Sequence, residues 1–184
     1  MKEKIRNYSI DFVKEMIPVI VGILIALFID NWNENLKDKQ YMELVYSTIN
    51  DELKETNREL SEDIPVHRAL IDSLAFYAAD TNVNILDIVL KTKGITLPKI
   101  KMSAWKSVSH SKIDLMDFKK VIQLSNMEEH KDILKDQTDH LVHFLYPNLY
   151  ETDKKKKETL KIIMLDVLET EKTMQQLIED FKHN

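Results

Sequence analysis

The stretch Met16-Ile-Pro-Val-Ile-Val-Gly-Ile-Leu-Ile-Ala-Leu-Phe-Ile29 carries no charged or strongly polar side chain, and no other part of the chain resembles it. A spanning helix usually needs about 20 apolar residues. Here Ile10, Phe12 and Val13 extend the apolar character upstream, and Trp32 follows where an amphipathic ring lies among lipid headgroups. A helix from Ile10 to Trp32 is roughly 33 Å long, which covers a hydrocarbon layer of about 30 Å. The stretch therefore predicts a transmembrane helix, with bounds at residues 12–32.

Two other interpretations of this stretch stay open. A cleaved signal peptide fits the basic start at Lys2, Lys4 and Arg6 and the length of the apolar run. However, Ala26-Leu-Phe-Ile-Asp30 places bulky side chains where a cleavage site needs small ones. A buried core helix of a soluble protein is the second alternative, because apolar runs of about 10–14 residues are common there.

The charges that flank the apolar run predict its orientation. Lys2, Lys4, Arg6 and Lys14 lie before or at its start, whereas only Lys37 and Lys39 follow closely, among several acidic residues. Lys and Arg mark the cytoplasmic side of a membrane helix. We therefore expect residues 1–11 in the cytoplasm and residues 33–184 as a periplasmic helical-bundle domain, anchored in the inner membrane.

Composition limits the fold and the chemistry. The 184-residue chain has a net charge of −5, no cysteine, two glycines and four prolines. The acidic balance gives no footprint for nucleic acid, and the lack of cysteine excludes disulfides, thiolate zinc sites and cysteine nucleophiles. Two isolated glycines cannot build a phosphate-binding loop. Scarce turn-forming residues argue against all-β and α/β folds, so the chain is predicted to be all-α, with no cofactor.

Apolar periodicity predicts two long helices and several short ones. Met42, Val45, Ile49, Leu53, Thr56, Leu60 and Ile64 follow steps of three and four in an eleven-residue repeat. Glu52, Glu55, Arg58 and Glu59 lie off this stripe and are expected to face solvent or a partner. Leu160, Ile163, Val167, Thr170, Met174, Leu177 and Phe181 form a heptad pattern. The predicted helices span 31–63 (ended by Pro65), 66–79, 85–90, 102–109, 115–124 (capped by Asp114), 127–146 (ended by Pro147) and 156–182. The transmembrane helix is expected to continue into the first of these, with an antiparallel helical bundle outside the membrane.

Two short motifs carry a resemblance to a known family. Gly22-Ile-Leu-Ile-Ala-Leu27 and Asn31-Trp-Asn-Glu34, preceded by the acidic Glu15, resemble the signature of an uncharacterised Bacteroidota family of single-pass membrane-anchored helical proteins. Phe28, where that family often has Gln, and Pro18 depart from the signature. The resemblance implies one span and a helical extracytoplasmic domain, and it implies no activity, since the family is a domain of unknown function.

The residues beside the apolar run are the candidate docking site. Asn31, Trp32, Asn33 and Glu34 directly follow the run, and Glu15 lies at its other edge. Asparagine amides can hydrogen-bond to a neighbouring helix, and an acid near the bilayer can pair with a partner or carry protons. The alternatives are a purely interfacial tryptophan and an interfacial carboxylate beside Lys14.

Three other polar groups contain residue types that occur in catalytic or binding sites. Asp136, His140 and His143 offer metal-ligand types on one helix face, against the alternative of surface polar residues. Ser107, Ser109, His110 and Ser111 suggest a nucleophile and base, against helix capping. The basic run Lys154–Lys157 suggests contact with anionic headgroups, against a solvated helix start. None of the three has the full pattern of a site, so no catalytic, metal or cofactor residue is predicted.

The sequence therefore favours a non-enzymatic, membrane-anchored periplasmic interaction or scaffold protein. It would act as a homo-oligomer or as an accessory subunit of an envelope complex, with membrane lipid and another envelope protein or a second copy as partners. No nucleic-acid partner and no small-molecule substrate are expected. The alternative is a ligand-sensing helical bundle that acts through a membrane partner, because the single span leaves no cytoplasmic output module.

Overall fold

The computed structural model describes the backbone of residues 2–182 and the side chains of residue 14 and residues 16–182. Its elements are α1 (Lys2–Phe76), α2 (Ile85–Lys91), α3 (Ser103–Ser109), a 3-10 helix (Ile113–Leu115), α4 (Phe118–Asn148) and α5 (Lys154–Lys182). No strand occurs within residues 2–182. The predicted all-α class is confirmed.

The chain forms two compact units. The first is Met1–Leu44 and the second is Val45–Asn184. In the first unit, the large apolar side chains of residues 16–29 are between 39% and 63% exposed. In the second unit, apolar side chains from α1, α2, α4 and α5 form a buried cluster that includes Leu70, Ile88, Leu141 and Leu160.

Within the second unit, α1 buries the predicted stripe and then continues past the predicted end. Leu53, Thr56 and Leu60 are almost completely buried, as expected from their spacing. The prediction that Pro65 ends the helix is wrong, because α1 runs through it to Phe76. A proline inside a helix costs about 3 kcal/mol, and burial of a large apolar side chain returns about 1.5–3 kcal/mol. Leu70 and Leu74, both buried in the core beyond the proline, outweigh that cost.

The α4 helix joins two segments that the sequence divides. The predicted helices 115–124 and 127–146 are one helix, Phe118–Asn148, because Leu124 and Met127 both lie fully buried with no break between them. Asp117 caps this helix by accepting hydrogen bonds from the backbone N–H groups of Lys119 (2.9 Å) and Lys120 (3.2 Å). The predicted cap, Asp114, instead lies in the 3-10 helix. Pro147 lies in the last turn of α4, one residue from its end.

The last helix packs on two sides. Besides the predicted heptad positions, α5 buries Met164, Leu168 and Ile178, whereas the predicted Leu177 is only half-buried. One side packs against α4, and the other carries hydrogen bonds to α1. Asn57 donates to Glu179 (Nδ2 to Oε1, 3.1 Å) and Gln175 donates to Ser61 (Nε2 to Oγ, 3.0 Å). The later residue of α1, Ser61, thus contacts the earlier residue of α5, Gln175.

Candidate functional site

The predicted docking residues lie on the exposed surface of α1. Asn31, Trp32, Asn33 and Glu34 all have exposed side chains. Trp32 packs edge-on against Phe28, with ring centroids 5.9 Å apart, at the end of the apolar run. The side chain of Glu15 lies outside the described residues. The amides of this segment are therefore accessible to a partner.

The apolar run is the part of the described chain that can cross a membrane by length and composition. Within residues 14–182, one helical segment passes this test, beginning at Met16, with a mean hydropathy of 1.8 over its most apolar window. None of that window is buried inside the protein. A core helix of a soluble protein would bury such a window.

A buried ion pair joins α1 to α5. The His67 Nδ1 atom lies 2.9 Å from Glu171 Oε2, and both side chains are fully buried. His67 Nε2 lies 2.6 Å from the carbonyl oxygen of Thr96. Because a carbonyl and a carboxylate only accept, both ring nitrogens donate, which requires the imidazolium form. The second carboxylate oxygen of Glu171 is buried and has no hydrogen-bond partner among the described residues.

The surroundings of His67 favour its charged form. Burial by itself lowers the pKa of His67, but four contributions oppose it. They are the hydrogen bond that His67 donates to Glu171, the charge of Glu171, the hydrogen bond to the Thr96 carbonyl and the charge of Asp63. Together these hold the pKa of His67 above its ordinary value of about 6.5.

An irregular segment, residues 94–102, runs along α1, and we call it the strap. Carboxylates of α1 accept hydrogen bonds from backbone N–H groups of the strap and of the adjoining α3. Glu59 accepts from Lys99 (2.7 Å), and Glu52 accepts from Ser103 and Ala104 (both 3.1 Å). The latter two amides begin α3, so Glu52 caps that helix from another element. These glutamates were expected to face solvent or a partner. Glu52 and Glu59 do lie off the buried stripe, but they are half-buried, and their carboxylates face the strap and the start of α3.

Other polar contacts complete the attachment of the strap. The buried Thr56 hydroxyl accepts a hydrogen bond from the backbone N–H of Lys101 (3.1 Å). Glu55 forms an ion pair with the Lys101 ammonium (2.8 Å), which lowers the pKa of Glu55 and raises that of Lys101. Thr96 donates its hydroxyl to Asp63. The strap thus satisfies its backbone groups with side chains of α1, since it forms no regular structure of its own.

The basic run at the start of α5 contains one buried member. Lys157 is fully buried, and its Nζ atom donates to the carbonyls of Tyr77 (3.0 Å) and Asp80, just after the end of α1. A lysine ammonium there satisfies terminal carbonyls and opposes the negative end of the helix dipole. Lys154 pairs with Glu158 at 3.7 Å, and Lys155 is exposed. Neither interpretation made from the sequence anticipated the structural role of Lys157.

The structure separates the predicted metal-ligand types. Asp136 and His140 line a groove between α4 and α5, and His143 lies exposed outside that lining. No cluster of three or more His, Cys, Asp or Glu side chains suited to a metal ion occurs in the part of the chain that the structure describes.

The serine and histidine group after Trp105 caps the end of α3. His110 Nδ1 lies 2.8 Å from the carbonyl of Lys106, so this nitrogen carries the proton and cannot accept one from Ser109, 3.1 Å away. Ser109 donates to the same carbonyl, and Ser111 donates to that of Ser107. These bonds satisfy carbonyls at a helix terminus.

Three buried charged residues, His67, Lys157 and Glu171, were missed by the sequence reasoning, although a signal was present. His67 lies three residues after Ile64 and three before Leu70, on the apolar stripe of α1. Glu171 occupies the same kind of position between Val167 and Met174, and Lys157 lies three residues before Leu160. Charged residues are almost never fully buried unless paired. A charge on each of two facing stripes therefore indicates a buried pair.

The chain matches no known protein family, no curated protein and no solved structure at a significant level.

Proposed function

We propose that the chain is a single-pass inner-membrane protein whose residues 33–184 form an antiparallel helical bundle in the periplasm. It works as an interaction module, either as a homo-oligomer or as an accessory subunit of an envelope complex. The observation that carries this proposal is the apolar run of residues 16–29, whose large side chains are all exposed. Soluble monomers rarely expose so large a contiguous apolar surface, and lipid tails would cover it.

The docking surface in this proposal is Asn31, Trp32, Asn33 and Glu34, with Glu15 at the other edge of the run. Its support is the exposure of two amides and a carboxylate beside a tryptophan that packs on Phe28. Amide side chains hydrogen-bond between helices near the membrane. The resemblance of this segment to the Bacteroidota signature adds support for a single span.

Membrane association is tested by fractionation of the full chain. Leu24→Arg places a charge inside the run, at a cost of about 2.5–3.5 kcal/mol at a helix centre. Leu44→Arg is the matched control, because Leu44 is also exposed but lies beyond the run. We expect the wild type and the control to sediment with membranes after an alkaline carbonate wash, and Leu24→Arg to be released. A folded wild type in the supernatant without detergent would reject the anchor.

Orientation is tested with single cysteines, since the chain has none of its own. Ser111→Cys lies in the proposed periplasmic bundle, where Ser111 is exposed, and Ser9→Cys lies in the proposed cytoplasmic segment. A membrane-impermeant maleimide added to intact inner-membrane spheroplasts should label Ser111→Cys and spare Ser9→Cys until the membrane is opened. The reverse pattern would overturn the orientation while leaving the anchor intact.

The docking surface is tested by photo-crosslinking in membranes. A photoreactive residue at Asn33 is compared with one at Gln40, which is also exposed and lies two turns further along the same helix face. We expect an adduct from position 33 that is absent or much weaker from position 40. An adduct of twice the 21.7 kDa chain mass identifies a homo-oligomer, and another mass identifies a partner protein. Only monomer from both positions would contradict the proposal.

The groove between α4 and α5 favours one second candidate, the ligand-sensing bundle. In that case, a ligand of the groove should change the yield of the adduct at position 33. An unchanged yield with a bound ligand would separate binding from signalling.

A further inference from the structure

A groove of about 430 Å³ lies between α4 and α5 within the second unit. Its lining residues are Asp136, Gln137, His140, Thr159, Ile162, Ile163 and Asp166. Ile162 is more than half exposed although it lies on a helix that is otherwise well packed. A groove of this size falls within the range used for small-molecule ligands.

The polar groups of the groove are mostly hydrogen-bond acceptors. Asp136 and Asp166 bring one carboxylate from each helix, and no ion pair joins either to a basic side chain in the part of the chain that the structure describes. The Gln137 Oε1 atom is buried and has no hydrogen-bond donor. The Thr159 hydroxyl donates its proton to the Lys155 carbonyl (2.8 Å), so its oxygen can serve a ligand only as a hydrogen-bond acceptor. Among the described lining residues there is no lysine or arginine, and His140 is the one basic side chain.

We propose that this groove binds a small organic cation, a protonated amine or amidine on an apolar body. The apolar body covers Ile162 and Ile163, and the cationic N–H groups are held by the carboxylates of Asp136 and Asp166. Charge-assisted hydrogen bonds of this kind are about twice as strong as neutral ones.

Other ligand classes fit the lining less well. An anion meets two carboxylates, and the His140 imidazole is the one basic side chain among the described lining residues. A neutral apolar molecule would partly desolvate the carboxylates and return no bond to them. A metal ion lacks a cluster of three suitable ligands among the described residues.

The test uses the full chain in mild detergent, with carbon-13 labelled isoleucine methyl groups. Phenethylammonium is titrated beside two probes of similar size, the neutral 2-phenylethanol and the anionic 3-phenylpropanoate. We expect the cation to shift the Ile162 and Ile163 methyl signals in a saturable way at low millimolar concentration. The neutral and anionic probes should bind about tenfold more weakly or not at all.

Matched variants locate the binding. Asp136→Asn and Asp166→Asn each remove one groove carboxylate at an exposed position and should weaken the cation at least several-fold. Asp139→Asn makes the same charge change on α4 at an exposed residue outside the lining and should leave the affinity unchanged. Equal binding of 2-phenylethanol, an equal loss in Asp139→Asn, or no saturable shift with the cation would each overturn the proposal. Because the bundle is tested in detergent, this result is independent of membrane orientation and of any partner.

Discussion

Removal of the carboxylate at Glu171 should destabilise the bundle far more than a surface substitution does. Glu171→Met takes away the carboxylate that lies 2.9 Å from the fully buried His67 Nδ1 atom. A buried ion pair that loses one member typically costs about 3–5 kcal/mol, because the remaining charge stays desolvated. We expect a loss of that size in the free energy of unfolding near pH 6.

The double variant should recover much of the loss. In His67→Leu/Glu171→Met, both charges are gone and two apolar side chains fill the space between α1 and α5. Replacement of a whole buried pair by apolar residues is often neutral or stabilising. The orphaned second oxygen of Glu171 favours this outcome, since the native pair is itself incompletely satisfied. The double variant should therefore be more stable than either single variant.

The pH dependence has a definite sign. The pKa of His67 is raised in the folded state. Its stabilising contribution is thus fully present below the unfolded-state pKa of about 6.5 and is lost as the pH rises through the folded-state pKa. Between these two values, the free energy of unfolding should fall by about 1.4 kcal/mol per pH unit. The conservative Glu171→Gln removes the charge and keeps a hydrogen-bonding partner for a neutral imidazole, so this alkaline loss should disappear.

Urea titration of the full chain in mild detergent, at several pH values, measures these changes. Trp105 is a suitable fluorescence probe because it is buried in the second unit and donates to Glu128 at 2.7 Å. Trp32→Phe removes the second tryptophan from the signal. Two results would refute the buried imidazolium. One is a Glu171→Met variant whose free energy of unfolding lies within about 1 kcal/mol of wild type. The other is a wild type whose stability is unchanged or rises over the alkaline range while His67→Leu behaves identically.

Three further substitutions have expected outcomes in the same urea assay. Lys157→Met should lower the free energy of unfolding by about 1–3 kcal/mol, because the carbonyl of Asp80 loses its buried donor. The control Lys155→Met, at an exposed neighbouring position, should stay within about 0.5 kcal/mol of wild type. Equal effects of the two substitutions would contradict the buried role of Lys157. Pro65→Ala should stabilise the protein by about 1–3 kcal/mol, since α1 is helical through this exposed position and gains an N–H donor there; a loss would show that the proline fits α1 better than alanine does. Glu52→Ala should cost about 1 kcal/mol, as loss of a helix cap does, and should speed hydrogen exchange at the first amides of α3, which an unchanged exchange rate would disprove.

Much of the architecture followed from periodicity and composition. The apolar stripes of α1 and α5 and the short helices α2 and α3 were predicted close to their observed bounds, because repeated burial on one face dominates helix formation. The helix ends at Pro65 and Asp114 were wrong, since local signals for stopping and capping are weaker than the burial of Leu70, Leu74, Leu124 and Met127.

The polar interior was much less accessible to sequence reasoning. Glu52, Thr56 and Glu59 hold the strap and the start of α3 by accepting hydrogen bonds from backbone N–H groups. Because nearly every residue has a backbone N–H group, the sequence does not indicate which of them will be the donors. The groove needs residues from two helices whose mutual register the sequence does not specify. The candidate docking residues at 31–34 could be proposed from the sequence because they form one contiguous segment beside the apolar run, and the structure adds that their side chains are exposed.

The contact between His67 and Glu171 joins positions 104 residues apart. During synthesis, α1 is therefore complete long before the helix that covers its buried face has left the ribosome. Until then the growing polypeptide exposes a long apolar surface with an unpaired histidine in it, and such intermediates aggregate readily. A chain truncated before α5 should therefore be degraded by proteases, and it should not form a shorter stable domain.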